Sequence, residues 1–230
     1  MTRTIVAGGT GNVGTFIVRA LLERGASVTV PSRSAEAIAS LREHLQPLLR
    51  ARDLDRLQTV VTDIGNGNGP LDPSLRGADA VIASLGKFVP AASVLRAPLT
   101  DLDAVLDLYV RAHFAVAQKF LPELIDRRGT YIFINGPLAF ESRPGMGGDL
   151  VSIATAAQHM LFRTLADELK DSGVRVAEIV NYAFIRNRRT QPGSAVPGEA
   201  TGALIADLVT DGEGDIHGQS IHVRETPTLA

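Results

Sequence analysis

The sequence has no cysteine and no tryptophan among its 230 residues. Without cysteine, the chain cannot form disulfides, thiol nucleophiles or cysteine-based metal sites. No apolar run reaches the roughly 18 residues of a membrane-spanning helix, and the chain begins in a strand-like segment rather than a signal peptide. We therefore expect a cytoplasmic protein without a membrane partner.

The sequence also has no large excess of charge of either sign, because Lys and Arg total 23 and Asp and Glu total 25. A balanced surface has no bulk field to attract nucleic acid, so we expect no nucleic-acid partner. His, Asp and Glu do not cluster at metal-ligand spacing, and we expect no metal. The length and the apolar content of 45% are typical of one globular domain over residues 1–230.

The most informative stretch is Thr4–Gly14, where a short apolar run ends in closely spaced glycines before a helical pattern. The spacing Gly9-x-Gly11-x-x-Gly14 fits a strand–turn–helix that receives a dinucleotide pyrophosphate. Free amides at the helix start supply donors and a favourable field for the anion. We expect the residues of this turn to contact the cofactor: Gly8, Gly9, Thr10, Gly11, Asn12, Val13 and Gly14.

Strand-like and helix-like segments alternate along the rest of the chain. Short apolar strands are expected at residues 27–30, 57–62, 80–84, 131–134, 174–180 and 220–223. Long helices are expected at about 100–125 and 151–169, the first opened by a capping box of Thr100 and Asp103. The alternation favours a parallel sheet covered on both faces. We predict an α/β Rossmann fold, a single doubly wound parallel sheet of about seven strands.

With these elements placed, the chain resembles a short-chain dehydrogenase/reductase from end to end. Gly8, Gly11 and Gly14 match the Gly-x-x-Gly-x-x-Gly form of extended and atypical members, and residues 161–169 match the helix after the family's catalytic tyrosine. Residues 216–223 resemble the closing strand. The resemblance implies a small-molecule substrate, a substrate loop at about 181–198, and a homodimer or homotetramer formed through helices 100–125 and 151–169.

The resemblance also implies further cofactor contacts. Asp63-Ile64 resembles the adenine-contacting segment of the family, so Asp63 and Ile64 are expected at the adenine. Residues 83–86 occupy the place where the family usually has Asn-Ala-Gly after the fourth strand. They are expected beside the cofactor: Ala83, Ser84, Leu85 and Gly86.

Cofactor choice depends on the end of the second strand. An NAD enzyme normally places a carboxylate there, about twenty residues past the glycines. Here the segment is Pro31-Ser32-Arg33-Ser34, without an acid. A guanidinium pairs bidentately with a 2′-phosphate, and a hydroxyl can donate beside it. We therefore expect NADP(H), contacted by Ser32 and Arg33; the alternative, that Arg33 is a solvated helix-start residue, stays open.

The catalytic positions depart from the family pattern of Ser, Tyr, Lys and a helical Asn. Alignment through residues 161–169 puts Val151 at the Tyr position and Thr155 at the Lys position. The Ser position falls at Gly136 or Pro137, and Tyr109 stands at the Asn position. None of these groups suits proton transfer near neutrality, so the usual mechanism is not carried over.

Three other residues are candidates for the catalytic role: Tyr109, Asn135 and Tyr182. Tyr109 shares a helix face with His113, and both could instead pack between helices. Asn135 could bond a substrate oxygen or serve in a turn, and Tyr182 could be a pocket wall. His159 is expected to have a packing role. Three arginines of the substrate loop could attract an acidic substrate or be a solvated basic surface: Arg186, Arg188 and Arg189.

These observations favour an NADP(H)-binding oxidoreductase that acts on a small-molecule carbonyl or alcohol through a non-standard proton-transfer site. Two alternatives stay open. One is a non-redox enzyme on the same scaffold, such as an isomerase, cyclase or dehydratase. The other is a catalytically inactive NADP-sensing binding protein, because the glycines are kept while the catalytic set is absent.

Overall fold

The structure is a computed structural model that describes residues 1–65, 70–90, 93–142, 148–182, 198–212 and 214–224. Its centre is one sheet of seven parallel strands in the order β3-β2-β1-β4-β5-β6-β7. The strands are β1 (Arg3–Ala7), β2 (Ser27–Ser32), β3 (Leu57–Val61), β4 (Ala80–Ala83), β5 (Thr130–Asn135), β6 (Arg175–Asn181) and β7 (Ser220–Val223). The predicted doubly wound sheet is confirmed.

Helices follow the strands and cover both faces of the sheet. They are α1 (Asn12–Glu23), α2 (Ala35–Leu45), α3 (Ala51–Leu54), α4 (Leu99–Leu106), α5 (Ala112–Arg127), α6 (Asp149–Leu169) and α7 (Gly198–Thr210). Alternate residues of β5 enter different cores: Ile132 and Ile134 pack with α1 and α7, while Tyr131 and Phe133 pack with α5 and α6. Among the described residues, no helix has both the length and the apolar character to cross a bilayer.

The helix expected at residues 100–125 is divided. A π-helical segment, Asp107–Arg111, separates α4 from α5. The Thr100–Asp103 capping box is wrong, because Pro98 precedes the first turn of α4 and no side chain caps it. Thr100 therefore lies inside the helix, where its hydroxyl cannot serve as the N-cap acceptor. Single π-helical turns occur frequently at functional sites.

The strand order places the switch point between β1 and β4. The chain runs outward from β1 to β3 and then returns to β4 on the other side of β1. In open parallel sheets, ligands bind outside the carboxyl ends of the strands at such a point. The turn after β1 and the loop after β4 therefore meet where a dinucleotide is expected.

Close packing of α1 on α7 depends on Gly202. A Cβ at this position would lie 2.5 Å from the Phe16 carbonyl oxygen, a backbone atom that cannot rotate away. We expect Gly202→Ala to lower the free energy of unfolding by about 1–3 kcal/mol because of this overpacking. An exposed helical glycine would instead gain about 1 kcal/mol from the same change.

Chemical denaturation checks this prediction, with Ser40→Ala at an exposed position of α2 as the control. The control should stay within about 0.5 kcal/mol of the wild type. Stabilisation by Gly202→Ala would contradict the close α1–α7 contact.

Candidate functional site

The turn after β1 brings three backbone segments into direct contact. Gly8 has φ +80°, and a Cβ there would overlap the carbonyl of Ser84 after β4. A Cβ at Gly14 would overlap the carbonyl of Gly8. Only glycine fits at both positions, so α1 starts against the carboxyl ends of β1 and β4.

The first amides of α1 are available to an anion. No side chain caps the helix at Gly11, and the Asn12 and Val13 amides bond to no carbonyl of the described chain. Gly11 and Asn12 are also exposed to solvent. Unpaired amides at a helix start bind phosphate well, so this glycine-lined turn fits the pyrophosphate of a dinucleotide.

The carboxyl end of β2 lies beside the glycine turn, because β1 and β2 pair in parallel register. Arg33 is exposed there and makes no ion pair with a described residue. The Ser32 hydroxyl accepts from the amide of Ser34 at 3.2 Å, and Ser34 caps α2.

The nearest acid on this segment is Glu36, in the first turn of α2. Its carboxylate accepts a hydrogen bond from the Ser34 hydroxyl at 2.7 Å, and this bond lowers the pKa of Glu36. The carboxylate thus belongs to the start of α2 rather than to the end of β2, where a ribose-binding acid would stand.

Asp63 and Ile64 follow β3 at the same edge of the sheet. Asp63 Oδ1 accepts from the amide of Gly65 at 3.1 Å, and Ile64 is buried in the core on the α5 side. Ile64 therefore anchors this segment, while Asp63 shapes its turn. The adenine contact expected of Asp63 and Ile64 stays a prediction.

The loop after β4 is supported by α5 and the π-helical segment. Ser84 donates its amide to the Ala7 carbonyl at 2.8 Å, which holds Ala83-Ser84-Leu85-Gly86 beside the glycine turn. Gly86 has φ +105°, and a Cβ there would lie 2.5 Å from the Tyr109 ring. The tyrosine ring therefore occupies the space that any side chain at position 86 would need.

Tyr109 and His113 both point at this loop, which confirms that they share one helix face. The Tyr109 hydroxyl donates to the Lys87 carbonyl at 2.8 Å, and burial raises the pKa of Tyr109 to about 12. His113 Nε2 lies 3.5 Å from the Leu85 carbonyl, and the imidazole stacks on Phe133. In this arrangement Tyr109 supports the loop through its hydroxyl.

The family's catalytic positions carry no free proton-transfer group. Val151 and Thr155 are both buried on α6, and the Thr155 hydroxyl donates to the Val151 carbonyl at 2.7 Å. At the end of β5, the serine position falls on Gly136 or Pro137, neither of which has a hydroxyl.

Asn135 is buried with both ends of its amide engaged. Nδ2 donates to Glu178 Oε1 at 2.8 Å and to the Thr155 carbonyl at 3.2 Å, while Oδ1 accepts from the Gly136 amide at 2.8 Å. The residue thus fixes the exit of β5 and joins it to α6 and β6.

Glu178 is the residue that sequence reasoning missed. Its side chain is fully buried, yet it accepts hydrogen bonds from Asn135, His159 and Ser220. The available signal was an acid between the apolar pairs 176–177 and 179–180 of a strand-like segment. His159, for which a packing role is expected, also makes a polar contact, because its Nδ1 lies 2.7 Å from the Glu178 carboxylate.

Tyr182 lies just beyond β6, at the start of the expected substrate loop. Its hydroxyl is 3.1 Å from His222 Nδ1, and the Arg224 guanidinium lies 4.3 Å from the centre of its ring. The rest of that loop, with Arg186, Arg188 and Arg189, lies outside the described residues. Within the described part of the chain, no group of three or more His, Asp or Glu residues could hold a metal ion.

Comparison with known proteins agrees with this geometry. The profile of the short chain dehydrogenase family matches residues 2–186, which is most of the chain. The chain belongs to the short-chain dehydrogenase family. Enzymes of this family use nicotinamide cofactors and act on small molecules.

Individual relatives of this short-chain dehydrogenase are distant. It is 25% identical to an uncharacterized oxidoreductase of Staphylococcus aureus over 76% of this chain and 74% of that one. It is 23% identical to serine 3-dehydrogenase of Rhizobium radiobacter over 90% of this chain and 84% of that one.

A solved structure shares the fold at lower identity. It is a short chain oxidoreductase of Pseudomonas aeruginosa described as containing an atypical catalytic center. The TM-score is 0.81 at 20% identity, with 99% of this chain and 97% of that chain covered.

Burial of His113 predicts a pH dependence of stability. Desolvation lowers the pKa of His113 from 6.5 to about 4, and its Nδ1 has no partner among the described residues. Between these values the unfolded chain binds a proton that the folded protein does not. The free energy of unfolding should therefore fall by up to about 3 kcal/mol as pH is lowered from about 6.5 to about 4.

Denaturation curves across this range test the assignment. His113→Gln, which keeps a donor towards the Leu85 carbonyl, should flatten the pH dependence. His44→Gln, a change at a half-buried residue of α2, is the control and should keep the slope. An unchanged slope in His113→Gln would place the titrating group elsewhere.

Proposed function

We propose that this short-chain dehydrogenase is an NADP(H)-dependent oxidoreductase that acts on a small-molecule carbonyl or alcohol. The observation that carries the cofactor choice is Arg33 at the end of β2, which makes no ion pair with a described residue and has no acid beside it at that position. An exposed guanidinium can bind a 2′-phosphate through two parallel hydrogen bonds.

The chain's own residues have defined roles in this proposal. The glycine turn and the amides of Asn12 and Val13 hold the pyrophosphate, Ser32 and Arg33 hold the 2′-phosphate, and Asp63 with Ile64 borders the adenine. The loop 83–86 borders the nicotinamide half. When bound, the nicotinamide supplies the hydride chemistry, and the chain supplies position and electrostatics.

Proton transfer must differ from the family pattern, since Val151 and Thr155 replace the usual Tyr and Lys. We propose that Tyr109 and Asn135 act as positioning residues, because their polar atoms already bond to Lys87 and to Glu178 and Gly136. Tyr182 forms a wall of the substrate pocket. Loss of a general acid typically costs about 10²–10⁴-fold in rate, so we expect slow turnover unless another group donates the proton.

A catalytically inactive NADP-responsive binding protein is the second candidate. It is favoured by the engagement of the Tyr109 and Thr155 hydroxyls with backbone carbonyls, while the glycine turn stays intact. This candidate expects cofactor binding without oxidation of NADPH by any carbonyl compound.

We further propose a cytoplasmic homodimer or homotetramer, formed through the helices at 100–125 and 151–169. Three large apolar side chains on α5 and α6 support this assembly because they are exposed on the single chain: Phe114, Ile153 and Met160. Sedimentation analysis of the purified protein measures the size of the assembly.

The cofactor proposal predicts a change in affinity confined to NADPH. Arg33→Ala should raise the Kd for NADPH by about 10–100-fold, the loss of one charge-assisted contact, and leave the Kd for NADH unchanged. Arg50→Ala, at an exposed arginine between α2 and α3, is the control and should change neither Kd. Fluorescence titration measures these Kd values. Equal Kd values for NADPH in Arg33→Ala and wild type would contradict the proposal.

The reaction itself is tested by mixing the protein with NADPH and a panel of aldehydes and ketones. Loss of the NADPH absorbance, with alcohol formed in equal amount, supports the oxidoreductase. Tight NADPH binding with no turnover across the panel would instead support the NADP-responsive binding protein.

A further inference from the structure

A group of rings lies on the α6 face of the sheet, near its β7 edge. We name Phe140, His159, Tyr182 and His222 the edge cluster. The Phe140 ring centre lies 4.5 Å from that of His159 and 5.2 Å from that of His222. Three strands, β4, β5 and β6, separate this edge from the glycine turn after β1. The cluster is therefore distinct from the proposed pyrophosphate and 2′-phosphate sites.

A buried carboxylate lies beneath the edge cluster. Glu178 pairs with Phe133 on β5 and Ser220 on β7, so all three side chains point to the α6 face. Its Oε1 accepts from Asn135 Nδ2 at 2.8 Å, and its Oε2 accepts from His159 Nδ1 at 2.7 Å and Ser220 Oγ at 2.8 Å. Burying a carboxylate costs several kcal/mol, and these donors offset that cost.

The contact with Glu178 decides the tautomer of His159. A carboxylate only accepts hydrogen bonds, so Nδ1 carries a proton, and in the neutral form of the imidazole the lone pair lies on Nε2. Nε2 has no hydrogen-bond partner among the described residues, and 18% of the side chain is exposed. An imidazole with one nitrogen held by a buried carboxylate and the other open is the arrangement of a general base.

We propose that His159 is the general acid–base residue of a second site at the edge cluster, with Glu178 as its positioning residue. This site adjoins the proposed substrate pocket and shares Tyr182 with it. The ligand class is a small molecule with an apolar or aromatic part on Phe140, and the hydroxyl that donates to His159 Nε2 belongs either to this molecule or to a water that attacks it. Tyr182 and His222 border the same space. The site needs no dinucleotide. An experiment can therefore disprove its activity without disproving the proposed oxidoreductase, and the reverse.

Hydrolysis of p-nitrophenyl acetate is the chemical probe for this site. His159 Nε2 takes a proton from water while the water oxygen bonds to the ester carbonyl carbon. The bond from that carbon to the nitrophenyl oxygen breaks, and its electron pair leaves with p-nitrophenolate. The imidazolium then returns its proton to solvent, so the balanced products are acetate, p-nitrophenolate and protons.

The decisive variant is His159→Asn, measured in the full chain without added cofactor. The asparagine amide can still donate to Glu178, as Nδ1 does, but Nε2 is gone. We expect the protein-dependent rate to fall at least about 10-fold, with an unchanged melting temperature. His44→Asn is the matched control, because His44 has no carboxylate partner among the described residues and should leave the rate unchanged.

Glu178→Gln tests the positioning role. The glutamine amide can turn towards Nδ1 and favour the other tautomer, with the proton on Nε2, so the rate should fall while the protein stays folded. Nitrogen NMR of the imidazole reports the tautomer directly in the wild type, whether or not Glu178→Gln folds. The proposal is overturned by a wild-type rate in His159→Asn, by a wild-type protein without a rate above buffer, or by a wild-type His159 protonated on Nε2 alone.

Discussion

The close approach of α1 to the turn after β1 is the constraint on which the cofactor site depends. Gly8 and Gly14 allow the backbone of α1, the turn and the Ser84 carbonyl after β4 to come together where any Cβ would overlap. The same approach places the first amides of α1, which bond to no carbonyl of the described chain, at the switch point of the sheet. One steric condition therefore fixes both the topology at the sheet centre and the position of the anion site.

Features governed by neighbouring residues were predictable from the sequence. The β1–turn–α1 unit and the alternation of strands with helices are local patterns, and the seven-stranded parallel sheet follows from them. The division of the helix at 100–125 was not predictable, because the π-helical segment puts Tyr109 against Gly86 and Lys87, which lie more than 20 residues earlier in the chain. Periodicity describes one helix at a time and carries no information about such contacts.

The glycine turn keeps the family pattern, whereas the family's catalytic positions carry different residues. The Thr155 hydroxyl bonds within its own helix, and the Tyr109 hydroxyl bonds to the Lys87 carbonyl. Alignment identified which residues stand there, but it could not show that their polar atoms were already engaged. Two properties that the family pattern joins are thus separate here: the glycine turn of the family is kept, whereas Val151 has no proton-transfer group and the Thr155 hydroxyl is already engaged.

Glu178 is a further residue whose polar atoms are already engaged, and it lies on β6, in the other half of the sheet. A carboxylate inside a parallel sheet is tolerated only with donors around it, and those donors come from β5, β7 and α6. An apolar residue of similar volume would often be as stable there or more stable, so fold stability alone gives little reason for a buried carboxylate and its donors. What the carboxylate adds is orientation: it fixes the Asn135 amide and the His159 tautomer at once. Holding the imidazole so that Nε2 stays open matters for proton transfer, whereas packing alone does not require it.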